Sequence, residues 1–430
     1  NISENSMLSS IKKEVFSSSA IEEIYIPSKI TEIKEGTFSY CENLKVINIS
    51  EKSSLESICK DAFSHSSLET IFIPKSVKKL EEGWCAGTDK LINFSVSKEN
   101  KIYSSIDDNF IVGKSDQKGK DFDRLVFARR NIEEVNIPMN IKHIESYCFS
   151  CCNNLKSIEF DPKNSLSTID KESFSFSTLE HISIPNEVTE INEAAFLHCD
   201  KLRSIHFYEK SSLKCIDKDV FANSGLESIS IPSSITEIKE HAFFNCVNLK
   251  RVNISHNSLL SKINKEAFTG CSIETISFPS NFIGLLSGLI KHHKISNIEI
   301  IDENVHINSS FQLPCISSIS FPNAKEIIVD KKCGKFTLFV LRDCNLIGDE
   351  SSLKQHEVKF ISPKKLMKIE TIEVELIENL LQNNEPFGSG LISQVFKVKL
   401  EINNNRPKKK KIKKTKKRKE NKKAKTSSKE

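Results

Sequence analysis

The chain has 430 residues with a hydrophobic content of 38%, which suits a large fold that leaves much of its surface exposed. No stretch of about 18 consecutive apolar residues occurs, which excludes a transmembrane helix, and no signal peptide is visible. The net charge of +5 is the sum of two parts of the chain that carry opposite charge. Residues 406–430 hold 15 basic and 2 acidic residues (+13), so residues 1–405 carry −8.

A short motif, Ile-x-x-Ile-x-Ile-Pro with small apolar variations, recurs along the first two thirds of the chain. The steps between successive prolines of this motif are 47, 64, 47, 47 and 47. A fixed period of this size indicates a stacked array of repeats, in which function usually lies on an extended surface. The prolines are Pro27, Pro74, Pro138, Pro185, Pro232 and Pro279.

An aromatic residue divides each period into two coils. Each coil contains an Ile-x-Ile alternation, which is typical of a short strand with one buried face, and in every second coil a proline ends the strand. We therefore predict a right-handed stack of twelve or more coils, each with a short parallel strand, whose lengths alternate between 22 and 25. These lengths are the alternating steps between Phe149, Phe174, Phe196, Phe221, Phe243 and Phe268.

The full repeat reads Leu-x-x-Ile-x-Ile-Pro-x-x-Ile-x-x-Ile-x-x-x-Ala-Phe-x-x-Cys and is most complete in residues 202–246 and 249–271. It resembles the BspA-like leucine-rich repeats of bacterial and protist surface antigens, over about residues 8–280. The resemblance implies an α/β-type repeat solenoid, a leucine-rich repeat stack with a protein-binding surface. Residues 103–112 and 125–127 resemble the β-hairpin insertion of that family, which explains the single long step from Pro74 to Pro138.

These patterns predict a division of the chain into seven parts. Leucine-rich repeats occupy 1–96 and 132–279, and the hairpin insertion with its return to the stack occupies 97–131. Irregular or terminal repeats follow at 280–362, a helical linker at 363–384, a β-hairpin or kinase-loop remnant at 385–402, and a disordered lysine-rich tail at 403–430.

Five of the 13 cysteines stand three residues after the repeat aromatic, where the alternate coils mostly have serine. This interchange indicates a small buried position, not a metal ligand or a disulfide. Cys148-x-x-Cys151-Cys152 has redox or zinc spacing, but no second Cys or His pair completes a zinc site. We predict no metal, no cofactor and no catalytic residues. The five cysteines are Cys41, Cys152, Cys199, Cys246 and Cys271.

The second position of the Leu-x-x-Ile-x-Ile strand alternates in charge from coil to coil. In a stack these positions are neighbours about 4.8 Å apart, so they form either a self-neutralising ladder or a stripe that binds a protein partner. Tyr25, Phe72 and His206 are predicted to project from the same sheet, too scattered for an anchor cluster. The charged candidates are Glu22, Glu69, Glu180, Arg203, Glu227 and Lys250, with Lys45, Glu133, Lys156 and Glu274 in the same series.

Residues 387–400 resemble the glycine-rich loop of protein kinases, Gly-x-Gly-x-x-Gly-x-Val. Gly388, Gly390 and Val395 match, and Ser393 replaces the third glycine. An ordinary hairpin with a glycine turn explains the same residues. No Val-Ala-Ile-Lys, His-Arg-Asp or Asp-Phe-Gly motif occurs in the chain, so we expect no kinase activity.

The C-terminal segment is too basic to bury apolar surface, so disorder is expected. It suits nuclear import, nonspecific binding to a polyanion such as nucleic acid or an acidic membrane, or simple solubilisation. Its central cations are Lys408, Lys409, Lys410, Lys411, Lys413, Lys414, Lys416, Lys417, Arg418 and Lys419.

The sequence as a whole favours a non-enzymatic repeat protein that presents an extended surface to a protein partner, as a scaffold or a surface antigen. No small-molecule substrate is expected. The rival hypothesis is a truncated or degenerate repeat-kinase protein. The unpaired thiols and the tail favour the cytoplasm or nucleus, and the family resemblance favours the cell surface.

Overall fold

A computed structural model describes residues 2 and 6–360, apart from residues 162, 293–294, 296, 309–310, 312–317, 331–336, 341–343 and 349–356. The kinase-like loop with Gly388 and Gly390, the helical linker and the lysine-rich tail lie outside the described residues. None of the helices in the described part is long and apolar enough to cross a membrane.

One side of the stack is built, over the described residues, from fifteen short strands, which we call the major strands. They form three parallel sheets of four, four and seven strands, so the predicted stack of twelve or more coils is confirmed. The major strands are β1 (Glu23–Ile26), β3 (Val46–Ile49), β5 (Thr70–Ile73), β7 (Asn93–Val96), β11 (Glu134–Ile137), β13 (Ser157–Phe160), β15 (His181–Ile184), β17 (Ser204–Phe207), β19 (Ser228–Ile231), β21 (Arg251–Ile254), β23 (Thr275–Phe278), β24 (Asn297–Ile300), β26 (Ser318–Phe321), β28 (Thr337–Val340) and β30 (Glu357–Phe360).

A second side of most coils carries a further strand, which we call a minor strand and which has two residues before Pro279 and four beyond it. The minor strands also pair in parallel with their neighbours in the stack. They are β2 (Glu32–Ile33), β4 (Ser57–Ile58), β6 (Lys79–Leu80), β12 (His143–Ile144), β14 (Thr168–Ile169), β16 (Glu190–Ile191), β18 (Cys215–Ile216), β20 (Glu237–Ile238), β22 (Lys262–Ile263), β25 (Asn304–Ile307), β27 (Glu326–Val329) and β29 (Asn345–Gly348).

Most of the alternation in coil length arises between the major and minor strands. In the proline coils the minor strand starts nine residues after the major strand, as from Ser228 to Glu237, whereas in the proline-free coils it starts eleven residues after, as from Arg251 to Lys262. Proline closes the shorter connection, in which the Ile235 amide donates to the Pro232 carbonyl at 3.1 Å.

In the coils before Pro279 the third side is a turn that takes the place of a helix. The repeat aromatic is flanked two residues away on each side by a residue of left-handed conformation, as Ala194 (φ 57°) and His198 (φ 54°) flank Phe196. These turns direct backbone amides to the next coil, and the Phe196 amide donates to the Val220 carbonyl at 2.9 Å. Among the described residues, helix is limited to 3₁₀ conformation at Ser280–Phe282 and at Phe311 and to α1, Ile283–His292.

The aromatic residues stack in a column along the core. Phe149, Phe174 and Phe196 lie with ring centroids 5.0 Å apart and nearly parallel rings. The column continues in both directions and is fully buried at most positions. The inward isoleucines of the strands and the recurrent leucines of each coil pack around it, as the periodicity predicted.

A hairpin interrupts the repeat between β7 and β11. Strand β8 (Tyr103–Ile106) pairs antiparallel with β9 (Phe110–Gly113), which pairs antiparallel with β10 (Arg124–Ala128). β10 then pairs in parallel with the minor strand β12. Two buried clusters meet at this hairpin, since Ile111 and Phe127 pack toward the N-terminal part and Phe110 and Leu125 toward the C-terminal part.

Beyond Pro279 the major sheet continues with shorter coils. Successive major strands start closer together along the chain than the strands before Pro279 do, and α1 occupies the first of these coils in place of a minor strand. The region that the sequence suggested to be irregular or terminal repeats therefore contains regular parallel strands at a changed spacing. The major strands from β23 to β30 start at Thr275, Asn297, Ser318, Thr337 and Glu357.

Candidate interaction surface

The outward side chains of the major strands form a surface on each of the three sheets, and we call these surfaces together the strand face. In β19, Ser228 and Ser230 are exposed while Ile229 and Ile231 are buried, because side chains alternate across a strand. Parallel pairing in register places Ser228 beside Arg251 and Ser230 beside Asn253 of the next coil. The strand face therefore consists of columns of side chains that run along the stack.

The charged series predicted from the sequence lies along one border of the strand face. Each member donates its backbone amide to the carbonyl of the member before it, as Arg203 does to Glu180 at 2.9 Å and Glu227 does to Arg203 at 3.0 Å. The side chains are thereby held one coil apart, as expected. The unbroken run is Glu133, Lys156, Glu180, Arg203, Glu227, Lys250 and Glu274.

Ion pairs occur within this series. Lys156 Nζ lies 3.1 Å from Glu133 Oε2, and Lys250 Nζ lies 3.5 Å from Glu274 Oε1. The hydrogen bond to Glu133 raises the pKa of Lys156. All four side chains are more than half exposed, so water and salt screen these pairs and they add little to stability.

The charged series also lines a shallow depression. Glu133, Lys156, Glu180 and Arg203 form one side of it, and Asn153 and its neighbouring turn residues form the other. Both signs of charge are therefore presented in a concave part of the surface.

In the N-terminal part the same border carries Glu22, Lys45 and Glu69, joined by backbone hydrogen bonds of 2.8 and 2.9 Å. Tyr25 on β1 is 44% exposed, and Phe72 on β5 is half-buried two strands away. His206 lies on β17 in a different sheet. The expectation that these three side chains share one sheet was wrong, because the hairpin separates the first sheet from the second.

The strand face includes polar columns that the sequence reasoning did not identify. Ser183 and His206 are register partners, and the side-chain amide nitrogen (Nδ2) of Asn253 donates to Ser230 Oγ at 3.2 Å. The signal was present in the sequence as small polar residues at the third strand position, between two buried residues.

A second exposed border follows the turns. Tyr40 stacks on His65 with ring centroids 5.0 Å apart, and Phe176 stacks on His198 at 4.8 Å. These residues stand two positions after the repeat aromatic, where the backbone is left-handed. The sequence signal was the frequent Asn, His or Gly at that position.

The repeat cysteines pack as predicted. Cys41, Cys152, Cys199 and Cys246 are fully buried, and Cys271 is partly buried. The Cys199 thiol donates to the Phe174 carbonyl at 3.1 Å and lies 3.5 Å from Ser177 Oγ of the preceding coil. Burial raises the pKa of Cys199 to about 12, so this thiol stays protonated and poorly nucleophilic near neutral pH.

One group of side chains in the described part could share a cation. Ligand atoms of Glu240, His241 and Glu266 lie within 4.8 Å of one another. His241 also faces Asp219 at 3.6 Å, and Lys265 lies 3.6 Å from Glu266. A lysine beside the carboxylate competes with a metal, so ion pairing alone explains this arrangement.

The repeat, its two parallel strand positions and its turn match a family model described as a BspA type leucine rich repeat region. Six copies match, over residues 1–109, 120–250 and 238–339. The chain belongs to this family. It is thus a BspA-type leucine-rich repeat protein, as the motif indicated, and leucine-rich repeats form a protein-interaction fold.

Several solved structures are similar to this BspA-type protein. A leucine-rich cell surface protein from Faecalibacterium prausnitzii is 25% identical with a TM-score of 0.47, and the match covers 61% of each chain. A leucine-rich repeat protein from Eubacterium ventriosum is 22% identical over 60% of this chain and 78% of its own, with a TM-score of 0.49. The pneumococcal vaccine antigen PcpA is 23% identical over 66% and 64%, with a TM-score of 0.48. No curated protein sequence matches the chain.

Proposed function

We propose that this BspA-type protein is a non-enzymatic scaffold or surface antigen that binds a protein partner through the strand face of its second and third sheets. The observation that carries the proposal is the unbroken charged series from Glu133 to Glu274 beside columns of uncharged polar side chains. Charges of both signs, fixed one coil apart, would select a partner with the complementary spacing.

The composition of this surface supports a protein partner. Ser183 on the second sheet and Ser230 and Asn253 on the third offer donors and acceptors, and His206 adds an exposed ring. A binding surface of standard size needs about 800 Å² on each partner, which several adjacent coils provide and a pocket does not. The buried, protonated cysteines support a role without nucleophilic catalysis.

Photo-crosslinking tests the proposal. A photoreactive amino acid replaces Ser230 on the strand face in one variant and Lys214, an exposed residue near the minor strands, in the matched control. We expect one protein to be captured by the Ser230 variant and not by the Lys214 variant. Capture of the same protein from both positions, or from Lys214 alone, would contradict the proposal. Surface labelling of intact cells, with and without residues 406–430, then decides between an antigen and an intracellular scaffold.

A further inference from the structure

The hairpin insertion leaves one edge of the first major sheet open. Strand β7 pairs with β5 on one side, and within the fully described segment from β7 to β11 no strand pairs with its other side. The stack continues through the hairpin on the side of the minor strands, where β10 pairs with β12. A major strand is therefore missing from the insertion between β7 and β11.

The backbone groups at this edge can be assigned from the bonds that β7 makes. The amides of Asn93 and Ser97 donate to the carbonyls of Glu69 and Ile73, at 3.0 and 2.9 Å. Successive residues of a strand direct their hydrogen bonds to opposite sides, so Phe94 and Val96 direct their N–H and C=O groups away from β5. An edge of this kind presents a row of groups ready to pair with another strand.

Side-chain burial marks the same edge. In β7 both inward positions, Phe94 and Val96, are only partly buried, whereas β5 buries Ile71 and Ile73 completely. The Phe94 ring meets Phe127 edge-on at 5.5 Å and is otherwise not enclosed by a following strand. β7 also lacks the lysine or proline that commonly blocks pairing at an exposed edge.

The unpaired edge of β7 is covered by the returning chain only at its N-terminal end. The Arg130 amide donates to the Leu91 carbonyl at 3.2 Å, just before β7 begins. Arg130 is itself fixed in the core by a hydrogen bond from Nε to the Thr88 carbonyl at 3.1 Å. The chain therefore returns to the stack at Leu91 and leaves Phe94 and Val96 without a neighbouring strand.

We propose that β7 is a docking site for an extended peptide segment of a partner protein, which adds to the sheet as a further strand. Main-chain hydrogen bonds to Phe94 and Val96 hold the peptide, and alternate apolar side chains of the peptide complete the burial of these two residues. This site is separate from the strand face of the second and third sheets, so it does not depend on the proposed function.

Amide hydrogen exchange tests this proposal. The probe is a synthetic peptide with the sequence of residues 154–161, which contains β13 and adds to the corresponding edge of β11 in the stack. In the free protein, Phe94 and Val96 should exchange at least about tenfold faster than Ile71 and Ile73. Saturating peptide should slow Phe94 and Val96 at least about tenfold and leave Ile71 and Ile73 unchanged. The same peptide with proline in place of Ile158 should give no protection.

A pair of variants adds a control on the protein side. Val96→Pro removes an amide that faces the opening and spares the bonds to β5, so protection should be lost, whereas Ser95→Ala should retain it. Slow exchange of Phe94 and Val96 in the free protein would overturn the proposal, because the edge would already be paired. Fast exchange without protection at millimolar peptide would overturn it as well.

Discussion

Arg130 and Cys148 join the two parts of the stack across the hairpin. Arg130 is buried, and its Nη1 donates to the Cys148 carbonyl at 2.7 Å. Its Nε donates to the Thr88 carbonyl on the other side, and its guanidinium lies 4.5 Å from the centre of the Phe127 ring. One side chain thus satisfies carbonyl groups from coils on both sides of the insertion.

Replacing Arg130 should strongly destabilise the fold. Arg130→Ala leaves the Thr88 carbonyl buried without a donor, removes one of the two hydrogen bonds to the Cys148 carbonyl and opens a cavity, so we expect a loss of about 3–5 kcal/mol. Arg203→Ala, at an exposed arginine of the strand face, is the matched control and should change stability by about 0.5 kcal/mol or less. The free energy of unfolding in urea measures both. Equal effects of the two substitutions would refute the joining role of Arg130.

The aromatic column should dominate the stability of the coils. Phe196→Ala removes a fully buried ring between two stacked neighbours, and we expect a cost of about 3–5 kcal/mol. Phe176→Ala, two residues after a repeat aromatic and 49% exposed, should cost less than about 1 kcal/mol. Denaturant titration compares the two. A cost for Phe196→Ala no larger than that for Phe176→Ala would mean that the column is not the core.

The buried thiols predict a fall of stability at high pH. Burial raises the pKa of Cys199 to about 12, whereas the pKa of a thiol in the unfolded chain is about 8.5. The unfolded state therefore loses protons first, so the contribution of this thiol is fully present below about pH 8.5 and is lost as pH rises toward 12. Unfolding free energies measured from neutral pH upward should fall, and less steeply in Cys199→Ser. An unchanged slope in that variant would contradict the assignment.

Cys199→Ser should itself be mild at neutral pH. Alternate coils already place serine at this position, and a hydroxyl can still donate to the Phe174 carbonyl. Cys199→Val fills the same space without a donor, so the Phe174 carbonyl keeps only its bond from the Ser177 amide, and valine should cost about 0.5–1.5 kcal/mol more than serine does. Thermal or urea unfolding of the two variants measures the difference, and a more stable valine variant would show that the hydrogen bond is unimportant.

The lysine-rich segment should bind polyanions in a salt-dependent way. Its charge of +13 predicts that affinity for single-stranded nucleic acid or acidic vesicles falls steeply as salt rises, because phosphate contacts release counterions. A chain without residues 406–430 should lose this binding. Fluorescence anisotropy at several salt concentrations measures it, and the same affinity and salt slope after deletion would assign the binding elsewhere.

The sequence predicted those features that repeat. Phe196 and Cys199 are constrained by burial at the same point of each coil, so their spacing shows in the sequence. Arg130 was missed because it occurs once, in an insertion, where a cation usually faces solvent. The open edge at Phe94 and Val96 depends on the path of the hairpin, which composition does not reveal. The coils after Pro279 were hidden because α1 and shorter connections change the period.

The central claim is that the strand face of the second and third sheets binds the partner, and the dissociation constant of the protein identified by crosslinking tests it most directly. Glu180→Lys with Glu227→Lys reverses two exposed charges of that border, and Glu187→Lys with Glu190→Lys makes the same exchange at two exposed residues near the minor strand β16. We predict at least about tenfold weaker binding, roughly 1.4 kcal/mol, for the first double variant and a change within about twofold for the second. Unchanged affinity in the first variant, with weakened binding in the second, would place the binding surface elsewhere.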